Sequence, residues 1–123
     1  MQRELRLVKK KDFNSVYRFG KSAANQHFVL YYMPQKQIER FRLGVSVSKK
    51  IGNAVVRNRM RRLIKEIVRL NGDGIKPQTD LILIARKPAV GLTYAELEQS
   101  ILHVMRKAGI YSSKKVSMKS ASE

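Results

Sequence analysis

The chain of 123 residues carries 26 Lys and Arg against 9 Asp and Glu, a formal charge of +17 with a pI near 10.6. That length supports one domain with a modest core, and a field of that sign attracts nucleic acid or an anionic membrane surface. Absent cysteine excludes disulfides and thiolate metal sites; no apolar run approaches the roughly 18 residues of a membrane span, and MQRELRLVKKKDF has no apolar signal core, so a soluble cytoplasmic protein is expected.

Residues 1–9 read as extended and basic. A short helix is predicted over Lys10–Phe19, with Phe13, Val16 and Tyr17 on its apolar side, Gly20 at its end, and no good cap unless Asp12 serves. His27–Met33 reads as a strand closed by Pro34, with Gln35–Arg40 as a loop. Leu43, Val45 and Val47 alternate with Gly44, Ser46 and Ser48, the period of a half-buried strand. Lys49–Asn53 is a glycine-bearing loop, and an amphipathic helix then runs to about Leu70, stopped by Asn71-Gly72-Asp73-Gly74. Leu81–Ala85 is a continuous apolar strand and Lys87–Gly91 a loop through Pro88. Thr93 and Glu96 form a capping box for a last helix to about Lys107, with Leu97, Ile101, Leu102, Val104 and Met105 toward the core. Residues 1–111 make one domain, and the Ser- and Lys-rich segment 112–123 is expected to be a disordered tail. The order α-β-β-α-β-α implies one sheet with helices packed on it, an α+β (α/β sandwich) fold.

The segment RNRMRRLIKEIVR, Arg57–Arg69, carries most of the functional information. On a helical wheel Met60, Leu63, Ile64, Ile67 and Val68 fill one arc, while Arg57, Arg61, Arg62, Lys65 and Arg69 lie opposite with Asn58. Six bases in this stretch face one acid, Glu66. Like charges at i,i+4 destabilise a helix, so Arg57, Arg61, Lys65 and Arg69 carry a local cost that an external polyanion would offset; the plain alternative is a solvated basic face. From Arg40 through Lys65 nine residues are Lys or Arg and none is acidic, which puts the charge on folded structure. Ser46, Ser48, Lys49 and Lys50 follow a strand and suit phosphate oxygens. Phe13, Tyr17 and Tyr31 suit base stacking if exposed, although their spacing equally fits core positions.

Protein-based catalysis finds little support. Asp12, Asp73 and Asp80 are scattered, Glu96 and Glu98 diverge on a helix, and the two histidines, His27 and His103, stand alone in sequence. A two-metal nuclease needs converging carboxylates. No catalytic residue and no metal ligand is assigned. A general RNA-binding or ribosomal protein and a protein-only nuclease remain the alternatives.

The block LGVSVSKKIGNAVVRNRMRRLIKE, Leu43–Glu66, closely resembles the signature of the bacterial ribonuclease P protein subunit, with its Arg57-Asn58-Arg59 core intact. DFNSVYRFGKSAANQHFVLYY and DLILIARKPAVGLTYAELEQSI extend the likeness over roughly residues 3–111. The resemblance implies a ribosomal protein S5 domain 2-like sandwich with a four-stranded or smaller mixed sheet. Its βαβ crossover would be left-handed, against the usual right-handed rule, and would lie between Ser48 and Asp80. It further implies a cofactor role beside a catalytic RNA that holds the Mg²⁺ ions and removes the 5′ leader of precursor tRNA, with no membrane and no protein partner required. Carried onto this chain, it assigns Lys49, Lys50, Arg57, Asn58, Arg59, Arg61, Arg62 and Lys65 to the catalytic RNA. It assigns Phe13, Tyr17, Tyr31, Ser46, Ser48, Arg86, Lys87 and Tyr111 to the leader.

Overall fold

A computed structural model describes residues 5–112. In chain order the elements are α1 (Lys10–Phe19), β1 (Lys21–Ala24), β2 (Phe28–Pro34), β3 (Phe41–Ser46), α2 (Ala54–Leu70), β4 (Thr79–Ala85) and α3 (Tyr94–Lys107). The sheet order is β1-β2-β4-β3. β2 pairs antiparallel with β1 and β4, whereas β3 runs parallel to β4 and reaches it through α2.

Alternation along the strands divides the sheet into two faces. Phe28, Leu30, Phe41, Leu43, Leu81 and Leu83 point to one side and meet Met60, Ile64 and Ile67 of α2 and Leu97, Ile101, Val104 and Met105 of α3. This is the main core. The other side carries Tyr31, Met33, Ile82 and Ile84, with Val16 of α1 and Leu7 packed on it. Arg6 bridges to Leu43, so the extended N-terminal segment continues the sheet beyond β3.

A helix of ten residues is too short to cover this second face. α1 lies over two rows of the sheet. Asp12 reaches Arg42 of β3, Phe13 stands over Gly44, and Tyr17 meets Tyr31 of β2. The next row, Ser46–Ile84–Val29, is only half-buried and stays open beside the helix.

A partly buried ion cluster fixes α1 from below. Arg42 donates from Nε and Nη2 to the two oxygens of Asp80 at 2.8 Å each, and its Nη1 reaches Asp12 at 3.4 Å. Asp80 is 1% exposed, so its charge depends on this bidentate partner. The hydrogen bond to Asp80 is also the main reason that the guanidinium is raised above its ordinary pKa. Asp12 therefore serves as an anchor, and the helix begins after Lys9 without any side-chain cap.

The element order differs from expectation by one strand, since β1 was not anticipated. Its sequence, KSAA, has no large apolar residue, and pairing with β2 alone defines it. Pro34 is the last residue of β2, opposite Thr79, where a missing N–H is tolerated at a strand end. β4 starts two residues early, at Thr79, because Asp80 is neutralised from β3. Lys87–Ala89 forms a single 3-10 turn within the expected loop. Gly20 does end α1, but its φ is −82°. Glycine is needed there because a Cβ would lie 2.5 Å from the Val16 carbonyl oxygen and 2.6 Å from that of Tyr32. The tail expected from Ser113 onward lies outside the described residues.

Candidate nucleic-acid interface

The open strip of the second sheet face lies beside a wall of aromatic rings and is the candidate cleft. The Phe13 and Tyr17 centroids are 6.4 Å apart, and Tyr17 meets Tyr31 edge-on at 5.0 Å. Phe13 is seated by the absence of a side chain at Gly44, where a Cβ would lie 2.5 Å from the ring. The question that spacing leaves open, core or surface, has an intermediate answer. Phe13 and Tyr31 are half-buried against Val16 and Ile82, and Tyr17 is 40% exposed. Partial burial, then the neighbouring Tyr31, raises the Tyr17 phenol, which therefore stays a neutral donor at physiological pH.

Ser46 ends β3 on the same sheet face as Gly44 and Arg42. The chain then turns sharply, with Ile51 N–H donating to the Ser48 carbonyl at 3.0 Å and the Ile51 side chain buried. This leaves Ser48, Lys49 and Lys50 exposed at the tip. Asn53 caps α2 by accepting from the Val56 N–H at 3.0 Å. The first turn of α2 has no acid, so the positive end of the helix dipole adds to the nearby side chains.

Along α2, Met60, Ile64, Ile67 and Val68 are buried, as the wheel predicts. Arg57 folds back so that its Nε donates to the Gly52 carbonyl at 3.2 Å. Asn58 accepts from Arg61 Nη1 at 3.1 Å and so orients that guanidinium. Arg59 and Arg62 are exposed, and Lys65 is half-buried. Glu66 pairs with Arg69 at 2.8 Å near the far end of the helix. Among the described residues, Arg42 and Arg69 are the only cations paired with a carboxylate. Chemically this surface offers phosphate neutralisation and the cleft offers stacking.

Arg86 and Lys87 are exposed at the C-terminal end of β4, the same end of the sheet as Ser46. Arg86 Nη1 donates to the Asn25 carbonyl at 2.9 Å. Tyr111 does not reach the cleft and must be removed from its edge. After α3 the chain doubles back to bridge Ile75, which puts the ring against Gly74 and under Arg106, with its hydroxyl 3.4 Å from Asn71 Oδ1. That position belongs to the opposite layer, with α2 and α3. Sequence reasoning missed Gly44 and Arg42, which set the floor and the anchor of the cleft wall. The signal was available in the alternation of Arg42, Gly44 and Ser46 along one strand face.

Among the described residues no three His, Cys, Asp or Glu converge as metal ligands, and Asp12 and Asp80 are both turned onto Arg42. No helix among the described residues is long and apolar enough to cross a membrane.

Comparison with known proteins gives one consistent result. The family model for ribonuclease P matches residues 1–109. The ribonuclease P protein component of Bacillus velezensis is 49% identical over 111 residues, covering 90% of this chain and 95% of that protein. That of Bacillus pumilus is 46% identical over 111 residues, covering 90% and 93%. The Staphylococcus aureus RNase P protein structure superposes with a TM-score of 0.82 at 42% identity, covering 88% of this chain and 98% of that one. The Thermotoga maritima protein gives 0.77 at 28% identity, covering 83% and 96%. With a family match across nearly the whole length, relatives at this identity and the same fold, the chain belongs to the ribonuclease P protein components, subunits of an RNA-based tRNA-processing enzyme.

Proposed function

We propose that this chain binds the catalytic RNA of ribonuclease P through Lys49, Lys50 and the exposed side of α2. Arg57, Asn58, Arg59, Arg61, Arg62 and Lys65 supply that side. The cleft holds the single-stranded 5′ leader of precursor tRNA between Phe13, Tyr17, Tyr31 and Ser46, with Ser48, Arg86 and Lys87 at its end. The observation that carries the reading is the junction of two unlike surfaces: an open sheet face walled by three aromatic rings passes, through one tight turn, into a helix whose cations, Arg69 apart, lack acid partners among the described residues.

The donor set supports a division of labour. Among the described residues no three His, Cys, Asp or Glu converge as ligands for Mg²⁺, and Asp12 and Asp80 are spent on Arg42. The ions and the hydrolytic step belong to the RNA, and the protein supplies no catalytic residue. Its contribution is positioning. Docking two RNAs in one orientation removes entropy that the reaction would otherwise pay, worth up to several kcal/mol without any protein acid or base. Cations against crowded phosphates also lower the Mg²⁺ concentration needed. The site of action is the cytoplasm, with precursor tRNA as substrate and no further protein partner.

Reconstitution tests this directly. Precursor tRNA should be cut at low Mg²⁺ only when chain and catalytic RNA are both present, and affinity for that RNA should fall by roughly 0.7–0.9 log units per log unit of salt for each phosphate neutralised. Cleavage by protein stripped of RNA, or a salt slope near zero, would defeat the proposal.

A further inference from the structure

Both histidines of the chain face one open pocket of about 450 Å³ between the β1–β2 turn and α3. Asn25 sets its chemistry. Oδ1 of Asn25 accepts from the backbone N–H groups of His27 and Phe28 at 2.9 Å each, which fixes the orientation of the amide. Nδ2 must then be the donor, and it reaches the Ser100 carbonyl at 2.9 Å and His103 Nδ1 at 3.1 Å. Ser100 is 8% exposed, and its hydroxyl also receives Asn25 Nδ2 at 3.1 Å. The Ser100 hydroxyl also lies within hydrogen-bond distance of His27 Nδ1, at 2.9 Å.

Each imidazole is tied to the fold through Nδ1, which leaves its Nε2 for a ligand. What remains is a recognition surface. It has the imidazole Nε2 atoms and the amides of Gln26 and Gln99, which have no hydrogen-bond partner among the described residues. Glu96 supplies an acceptor; its Oε1 takes the Thr93 N–H at 2.9 Å and its other oxygen is uncommitted. Amides and imidazoles of this kind read the edges of unpaired bases. Two cations stand at the rim, Arg86 on the Asn25 carbonyl at 2.9 Å and Lys107 on the Ala24 carbonyl at 2.8 Å. Arg86 lies at the same end of the sheet as the cleft, so the pocket extends the cationic rim around the sheet edge onto α3.

We infer that this pocket receives one unpaired nucleotide, its base edge against Gln26, Gln99 and the imidazole rings and its phosphate toward Arg86 and Lys107. The inference rests on the proposal that the chain binds RNA. The nucleotide comes either from the catalytic RNA or from the leader, and two assay arms separate these sources. One arm measures affinity of the full-length chain for catalytic RNA across a salt series. The other measures, across the same salt series, affinity of the assembled holoenzyme for precursor tRNA with long and short leaders.

The double variant Gln26→Ala/Gln99→Ala should weaken one arm roughly 5- to 100-fold at an unchanged salt slope, because no phosphate contact is lost. Its melting midpoint should match the parent, since neither amide bonds within the fold. Lys107→Ala should lower the slope of the same arm by about one. Unchanged affinity of the double variant in both arms overturns the inference, as does a loss confined to Lys107→Ala. Failure of the unmodified chain to bind either RNA overturns instead the reading beneath it.

Discussion

Replacing Gly44 by alanine isolates the seat of the cleft wall. The added Cβ would lie 2.5 Å from Phe13 Cζ and 2.7 Å from Cε1. Ordinary contact begins near 3.4 Å, so the ring tip must retreat by about 1 Å. It is the free end of a side chain, half-exposed and backed by Tyr17 at 6.4 Å, so the ring yields before the backbone does. The stability cost should sit at the low end of the overpacking range, about 1 kcal/mol, or a fall of a few degrees in Tm. Leader binding should suffer more. A base stacked on a displaced ring forfeits up to roughly 1–3 kcal/mol, a five- to hundredfold loss. The assay compares holoenzyme affinity for precursor tRNA with that for mature tRNA and follows Tm in parallel. A loss for precursor alone is expected. Unchanged precursor affinity, or equal losses for both RNAs, with a lowered Tm would show that Phe13 is a packing residue and refute the reasoning.

Tyr31→Ala removes the ring that meets Tyr17 edge-on at 5.0 Å; precursor affinity should drop about five- to hundredfold while mature tRNA affinity holds, and equal losses would return Tyr31 to the core. Arg59→Glu changes an exposed side chain on α2, so assembly with catalytic RNA should weaken by tenfold or more at low salt with an unaltered circular-dichroism spectrum; loss of the folded signal would make Arg59 structural. Arg42→Ala strands the Asp80 charge, which is 1% exposed, at a cost of about 3–5 kcal/mol. Denaturant unfolding measures that cost, and a loss below about 1 kcal/mol would mean that water replaces the partner.

The parts of this fold that were legible in the sequence are those whose own residues alternate. The α2 wheel, the Thr93–Glu96 capping box and the apolar run of β4 each declare themselves locally, and each is found where expected. β1 could not be read, because KSAA is a strand only by pairing with Lys21↔Tyr32 through Ala24↔Val29. Asp80 looked like a stray acid because its partner lies 38 residues away on β3. Tyr111 was misplaced because its position depends on a reversal after α3. At the candidate site, the cationic residues follow from sequence alone. The half-exposure of Phe13 depends on how far α1 reaches over the sheet, and that is a property of packing.

The parallel pairing of β3 with β4, spanned by α2, carries a consequence for shape. The rings look outward from one side of a single sheet, and the guanidinium row hangs from a helix on the reverse. A straight duplex cannot lie along both. Whatever the chain fastens must approach from two directions and meet over the short bend between Ser46 and Asn53, so the molecule acts as a clasp whose spine is the sheet.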